Sequence, residues 1–203
     1  MSATLTLYGS SVANGTLTTA CTMSAATGGT ETSKLTTITG TTNTYGEVTS
    51  QGLTVAAVTS IPATPTGNGW VYQPGAGRFA TGNWSASITL ATAGINGGDT
   101  WTLRFFKYSG GSYTSIGSIV ANATTTAKTT YSFAATSMSA IAFIASDLLY
   151  TDLWFFDSTG VATENPTVYI STSATSGVAN DMQITTATFT KRIAICDGYG
   201  GVF

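Results

Sequence analysis

A chain of 203 residues and 20.7 kDa is long enough for one large domain, or one domain with an extended arm, and its 42% hydrophobic content excludes a disordered protein. Histidine is absent, which removes Ser-His-Asp and Cys-His nucleophilic sites, His-ligated zinc and imidazole general bases. Only 8% of residues are charged, seven basic against nine acidic for a net charge of −2, and with no Lys/Arg cluster along the chain a nucleic-acid partner is disfavoured.

The start, Met1 to Leu7, has neither a basic n-region nor an apolar h-region, so no standard secretory signal is visible. Weakly alternating segments follow at Thr4–Tyr8, Thr16–Ala20, Leu35–Thr39 and Leu53–Val58, whose apolar faces carry mostly Leu, Val and Ala. Such strands bury too little area to stand alone, so they are expected to pack on the main domain or on a neighbouring subunit. Turn formers concentrate at Pro62–Gly69 and again at Gln73–Gly77, which places a boundary near residues 62 to 82. All four tryptophans and all nine phenylalanines lie beyond residue 69, and with them the main core.

Period-two runs dominate from there on. Trp84, Ala86, Ile88 and Leu90 share one face of the first run, with Ser85, Ser87 and Thr89 opposite. A turn at Gly94–Gly98 leads to Thr100–Tyr108, in which Trp101, Leu103 and Phe105 face one way. Ser109-Gly110-Gly111-Ser112 then reads as a tight hairpin into Tyr113–Val120. Further strands are expected at Thr129–Ala135, Leu148–Phe156, Thr167–Ser173 and Gln183–Thr190, while Ser137–Ser146 fits a short helix or an apolar strand. The spacing of turns is that of an all-β, jelly-roll-like antiparallel sandwich rather than of βαβ units. The resulting division is an N-terminal β-rich arm or subdomain at 1–69, a sandwich domain at 70–192 and a C-terminal tail at 193–203. Ala140–Phe156 is the longest apolar-rich stretch, but Ser146, Asp147, Thr151 and Asp152 make it too polar to span a membrane.

Few residues carry candidate chemistry. Asp147, Asp152 and Asp157 fall five apart, with Glu164 beyond, and oxygen ligands from loops suit Ca²⁺. Residues five apart on one strand point to opposite faces, so the three cannot converge without a turn; solvated strand ends that limit edge pairing are the better reading. No cofactor or metal is therefore assigned. Among the aromatics, Trp84 and Trp101 keep step with aliphatic residues and belong to the core, whereas Tyr108 and Tyr113 flank the Gly110-Gly111 turn and are the candidates for glycan contact. Lys191-Arg192, the one adjacent basic pair, reads as a solvated cap on the last strand. Cys21 and Cys196 sit at opposite ends of the chain, either as a disulfide or as two unpaired thiols.

Three stretches, Gly82-Asn83-Trp84-Ser85-Ala86-Ser87-Ile88-Thr89-Leu90, Leu103-Arg104-Phe105-Phe106-Lys107-Tyr108 and Asp181 to Thr190, resemble structural proteins of tailed bacteriophages, including head-decoration and tail-associated β-sandwiches. The resemblance covers roughly residues 80 to 190 and is one of texture, Thr/Gly/Ala-rich and punctuated by aromatics. It implies a protein on the surface of a virion capsid or tail, a homo-oligomer with a trimer favoured, in contact with other virion proteins and carrying no catalytic residues. Low charge suits such contact, because few charges must be desolvated. The assembly residues expected on this reading are Leu5, Leu7, Leu53 and Val55 in the arm, and Tyr199, Val202 and Phe203 in the tail. The alternatives are a carbohydrate-binding module or lectin-like adhesin and, less favoured, a hydrolase working through two carboxylates.

Overall fold

Strands rather than helices follow from a chain in which β-branched Thr alternates with Ile, Val and aromatic side chains, a pattern that fits a pleated surface buried on one side. The computed structural model describes residues 2–13, 21–24, 36–37, 44–45, 52–54, 57–65, 69–159, 166–169 and 182–192, and among them there is no helix. In chain order the strands are β1 (Ser2–Ala13), β2 (Cys21–Ser24), β3 (Thr36–Thr37), β4 (Thr44–Tyr45), β5 (Gly52–Thr54), β6 (Ala57–Val58), β7 (Trp70–Tyr72) and β8 (Gly77–Phe79). They continue with β9 (Gly82–Ala91), β10 (Thr100–Ser109), β11 (Ser112–Asn122), β12 (Thr129–Met138), β13 (Ile141–Phe143), β14 (Leu148–Phe156), β15 (Thr167–Tyr169) and β16 (Met182–Lys191).

One hydrogen-bonded path runs β11-β10-β14-β7-β2-β1-β16-β9, and β12 pairs the other edge of β9. The pairings β2–β7 and β6–β14 are parallel; the rest are antiparallel. The two halves of this path pack face to face as a sandwich. Trp101, Leu103 and Phe105 of β10 and Leu149, Leu153 and Phe155 of β14 meet Trp84, Ile88 and Leu90 of β9 and Ile184 of β16 in one core. Trp84 packs on Phe105 with centroids 4.9 Å apart, and Trp101 on Phe155 at 4.7 Å, both inclined in the geometry that aromatic quadrupoles favour.

The expected strands from Trp84 to Phe156 are all present, and Ser137–Ser146 supplies the strand β13 rather than a helix. The β10–β11 hairpin closes on Gly110 and Gly111, whose φ values of 54° and 89° are those that a two-residue turn of this hand requires. The N-terminal strand is part of the sheet: β1 pairs β16 from Ser2↔Thr190 to Tyr8↔Gln183, and Leu7 is wholly buried in the core. The turn-rich stretch before residue 82 also contributes two strands the sequence did not predict. They are β7, held against β14, and β8, held between β13 and β16.

Candidate functional site

The three aspartates expected at solvated strand ends are all buried, and each has a separate structural task. Asp152 lies mid-strand in β14, fully buried, where its two carboxylate oxygens accept from Arg104 Nε at 2.8 Å and Nη2 at 2.6 Å. Asp157 Oδ1 accepts from the Thr159 amide and hydroxyl, both at 2.7 Å. Asp147 Oδ2 accepts from the Ile144 amide at 2.9 Å, tightening the turn before β14. Asp147 and Asp157 flank opposite ends of a nine-residue strand, some 30 Å long at the rise of an extended chain, so they cannot share an ion. Among the described residues no group of three or more acidic or Cys side chains is placed to hold a metal.

Tyr108 and Tyr113 do not form a flat platform. Their rings lie 5.0 Å apart at 53° and pack over Phe106 and Tyr150, on the face of β10 and β14 that points away from the main core. Burial there, with the neighbouring Tyr108 and Asp152, pushes the Tyr113 hydroxyl up to about 12. On the same face the Arg104 guanidinium stands 5.1 Å over the Phe106 ring and 5.6 Å over that of Trp154, and Nη1 donates to the Pro62 carbonyl. Burial holds the Asp152 carboxyl above its ordinary range, against the opposing pull of Arg104. The loop through Pro62, a boundary in the sequence reading, is thus fastened to the sheet.

The residues expected to mediate assembly are scattered. Leu7 is buried in its own chain's core and cannot reach a neighbour; Leu5 packs partly buried against that core. Leu53 is the central residue of β5, paired with Val168. Val55, Tyr199, Val202 and Phe203, and Cys196 with them, lie outside the described residues.

Two other surfaces stand out. The first is the edge of β11. β10 pairs it along one side from Ser112 to Asn122, and among the described residues no strand pairs the other. Its eleven residues include no charge and no proline, and Val120 is 47% exposed. Natural edge strands are ordinarily blunted by charge, proline, brevity or a bulge, and of these β11 has only the bulge between Ser115 and Gly117. β12 lies alongside, equally uncharged and hydrogen-bonded only to β9; Met138 of β12 fills the space beside Gly117 of the β11 bulge.

The second is a groove of about 790 Å³ where β8, β13 and the end of β16 approach the end of β10. Four of the chain's seven cations, Arg78, Lys107, Lys191 and Arg192, line it together with a single carboxylate, that of Asp147. Among the described residues none of these four side chains makes an ion pair or hydrogen bond, whereas Arg104 is paired with Asp152 and Lys128 sits 4.1 Å over the Tyr169 ring. The expectation that no basic cluster exists holds along the chain and fails in space. One signal was legible: Lys107 continues the inward stripe of Trp101, Leu103 and Phe105, and a cation in register with a core face marks where that core opens to water.

The sequence matches no protein-family model and is similar to no curated protein.

Proposed function

We propose that this is a non-enzymatic structural protein of a virion, a jelly-roll-like sandwich with an N-terminal β-rich arm or subdomain. It decorates or cements a phage capsid, or forms part of a tail or fibre, through subunit contacts that include a homotrimer. The observation that carries the reading is the β11 edge, a long, uncharged strand whose outer backbone groups have no partner among the described residues. An edge of that kind is a template for pairing with another chain, and β12 of a second copy supplies a matching uncharged strand in a head-to-tail contact, the kind that closes a ring. Support also comes from the carboxylates: Asp99, Asp147, Asp152 and Asp157 are each engaged in holding a turn or a strand. The phage-like texture of residues 80 to 190 points the same way.

The test is the mass of the intact chain in solution by light scattering, beside the double variant S118K/V120K, which places two charges on exposed positions of β11. The expected result is an oligomer for the native sequence and a monomer with unchanged tryptophan emission for the variant. A native chain that is monomeric at every concentration overturns the proposal, as does an oligomer indifferent to the two lysines.

A further inference from the structure

The groove that gathers Arg78, Lys107, Lys191 and Arg192 has no role in the β11 contact and is formed by different strands. We propose that it is a docking site for an extended, acidic segment of a partner protein, which lies along the groove and places its carboxylates among the four cations.

Three observations converge on that occupant. The first is charge. In a molecule of net charge −2, the groove sets four cations against one carboxylate, and the described cations outside it are already engaged. Cations concentrated in a cleft focus the potential and attract an anion more strongly than the same charges spread over a surface.

The second is the lining. Arg78 of β8 pairs Ala142 of β13 on one side and Thr190 of β16 on the other, so a segment crossing these strands passes the small side chains of β13 and then the cations of β8 and β16.

The third is the apolar content of the same wall. Ile144 is 61% exposed, the most exposed large hydrophobic side chain described, and it lines the groove beside Ala140 and Ala142. A strand with acidic residues on one face and aliphatic ones on the other meets both the cations and Ile144. The groove lacks an exposed aromatic ring, since Phe143 is buried, and so has nothing on which a sugar or a base would stack.

The floor of the groove is built for close approach. A Cβ on Gly77 would lie 2.5 Å from both the Phe189 ring and the Thr190 carbonyl oxygen, so β8 can lie this close to β16 only with glycine there. That proximity brings Arg78 beside Thr190 and Lys191.

The experiment uses the full chain and a fluorescein-labelled octapeptide of alternating Glu and Val, read by anisotropy at low ionic strength. Its controls are the same peptide with Gln for Glu, a labelled oligogalacturonate and a labelled single-stranded oligonucleotide. The expected result is binding of the acidic peptide that weakens about tenfold with the Gln peptide, in K191Q/R192Q and in high salt. K191Q/R192Q alters exposed side chains and is checked for native tryptophan emission. No binding, or binding indifferent to the double substitution, overturns the proposal, and so does tighter binding of the saccharide or the oligonucleotide. Because the β11 edge is untouched in K191Q/R192Q, the groove can fail while the oligomer persists, and the reverse.

Discussion

Arg104 and Asp152 provide the sharpest test of how the sandwich is held. The pair is bidentate, with separations of 2.8 and 2.6 Å, and Asp152 is wholly buried, so Arg104→Met strands a carboxylate among Phe106, Trp154 and Tyr150. Breaking a buried ion pair from one side costs about 3–5 kcal/mol, because the remaining charge has lost both its water and its partner. Burial already raises the Asp152 pKa, and without Arg104 only the pull of Trp154 still opposes the rise. A carboxyl with a raised folded pKa binds its proton more tightly in the folded state, so its contribution is most favourable at low pH and declines as pH rises through that folded value. Arg104→Met is therefore expected to be least destabilised near pH 4 and most destabilised at neutral pH and above. The double variant R104M/D152L replaces the pair with apolar groups and is expected to recover most of the loss, as apolar substitutes for buried pairs commonly do. Urea unfolding followed by tryptophan emission, across pH, gives all three curves. A single variant within about 1 kcal/mol of the native protein, or one whose loss is independent of pH, refutes the reasoning.

Three other outcomes are expected. Leu7→Ala removes a fully buried side chain from the β1–β16 contact and should cost about 2–5 kcal/mol in urea unfolding, whereas a β1 peripheral to the fold would lose almost nothing. Gly77→Ala forces β8 away from β16 and should lower stability by about 1–3 kcal/mol, measured as a shift in the thermal midpoint, while weakening binding of the acidic peptide. Tyr113, raised to about 12 chiefly by burial, should ionise later than an exposed phenol in an ultraviolet titration, and Tyr113→Phe should remove that late step. Because its folded pKa is the higher one, the stability it contributes is complete below pH 10 and is lost as pH climbs toward 12.

What was legible in the sequence was local. Trp84, Ala86, Ile88 and Leu90 announce a strand with one buried face, and all four are buried. Ser109-Gly110-Gly111-Ser112 announces a two-residue hairpin, and the glycines take the required positive φ. What escaped was long-range. Trp70–Tyr72 and Gly77–Phe79 are too short and too rich in flanking turn formers to show a period, and they become strands only because β14, β13 and β16 supply partners. Asp152 looked solvated because an acidic residue between Thr151 and Leu153 fits a strand with one wet face. Its partner sits 48 positions away, and both faces of β14 are covered. The groove escaped for the same reason, since Arg78, Lys107 and Lys191-Arg192 come from three strands and gather only when β8 and β16 close on the end of β10.

The proposed assembly covers the outer edge of β11 with a second copy of the chain. Amide hydrogen exchange over Ser112–Asn122, compared between the native protein and S118K/V120K, tests it most directly. Slow exchange is expected at the outward amides of β11 in the native protein. In the variant those amides exchange fast, while exchange across Trp84–Leu90 is the same in both. Equal exchange along β11 in the two proteins would contradict it.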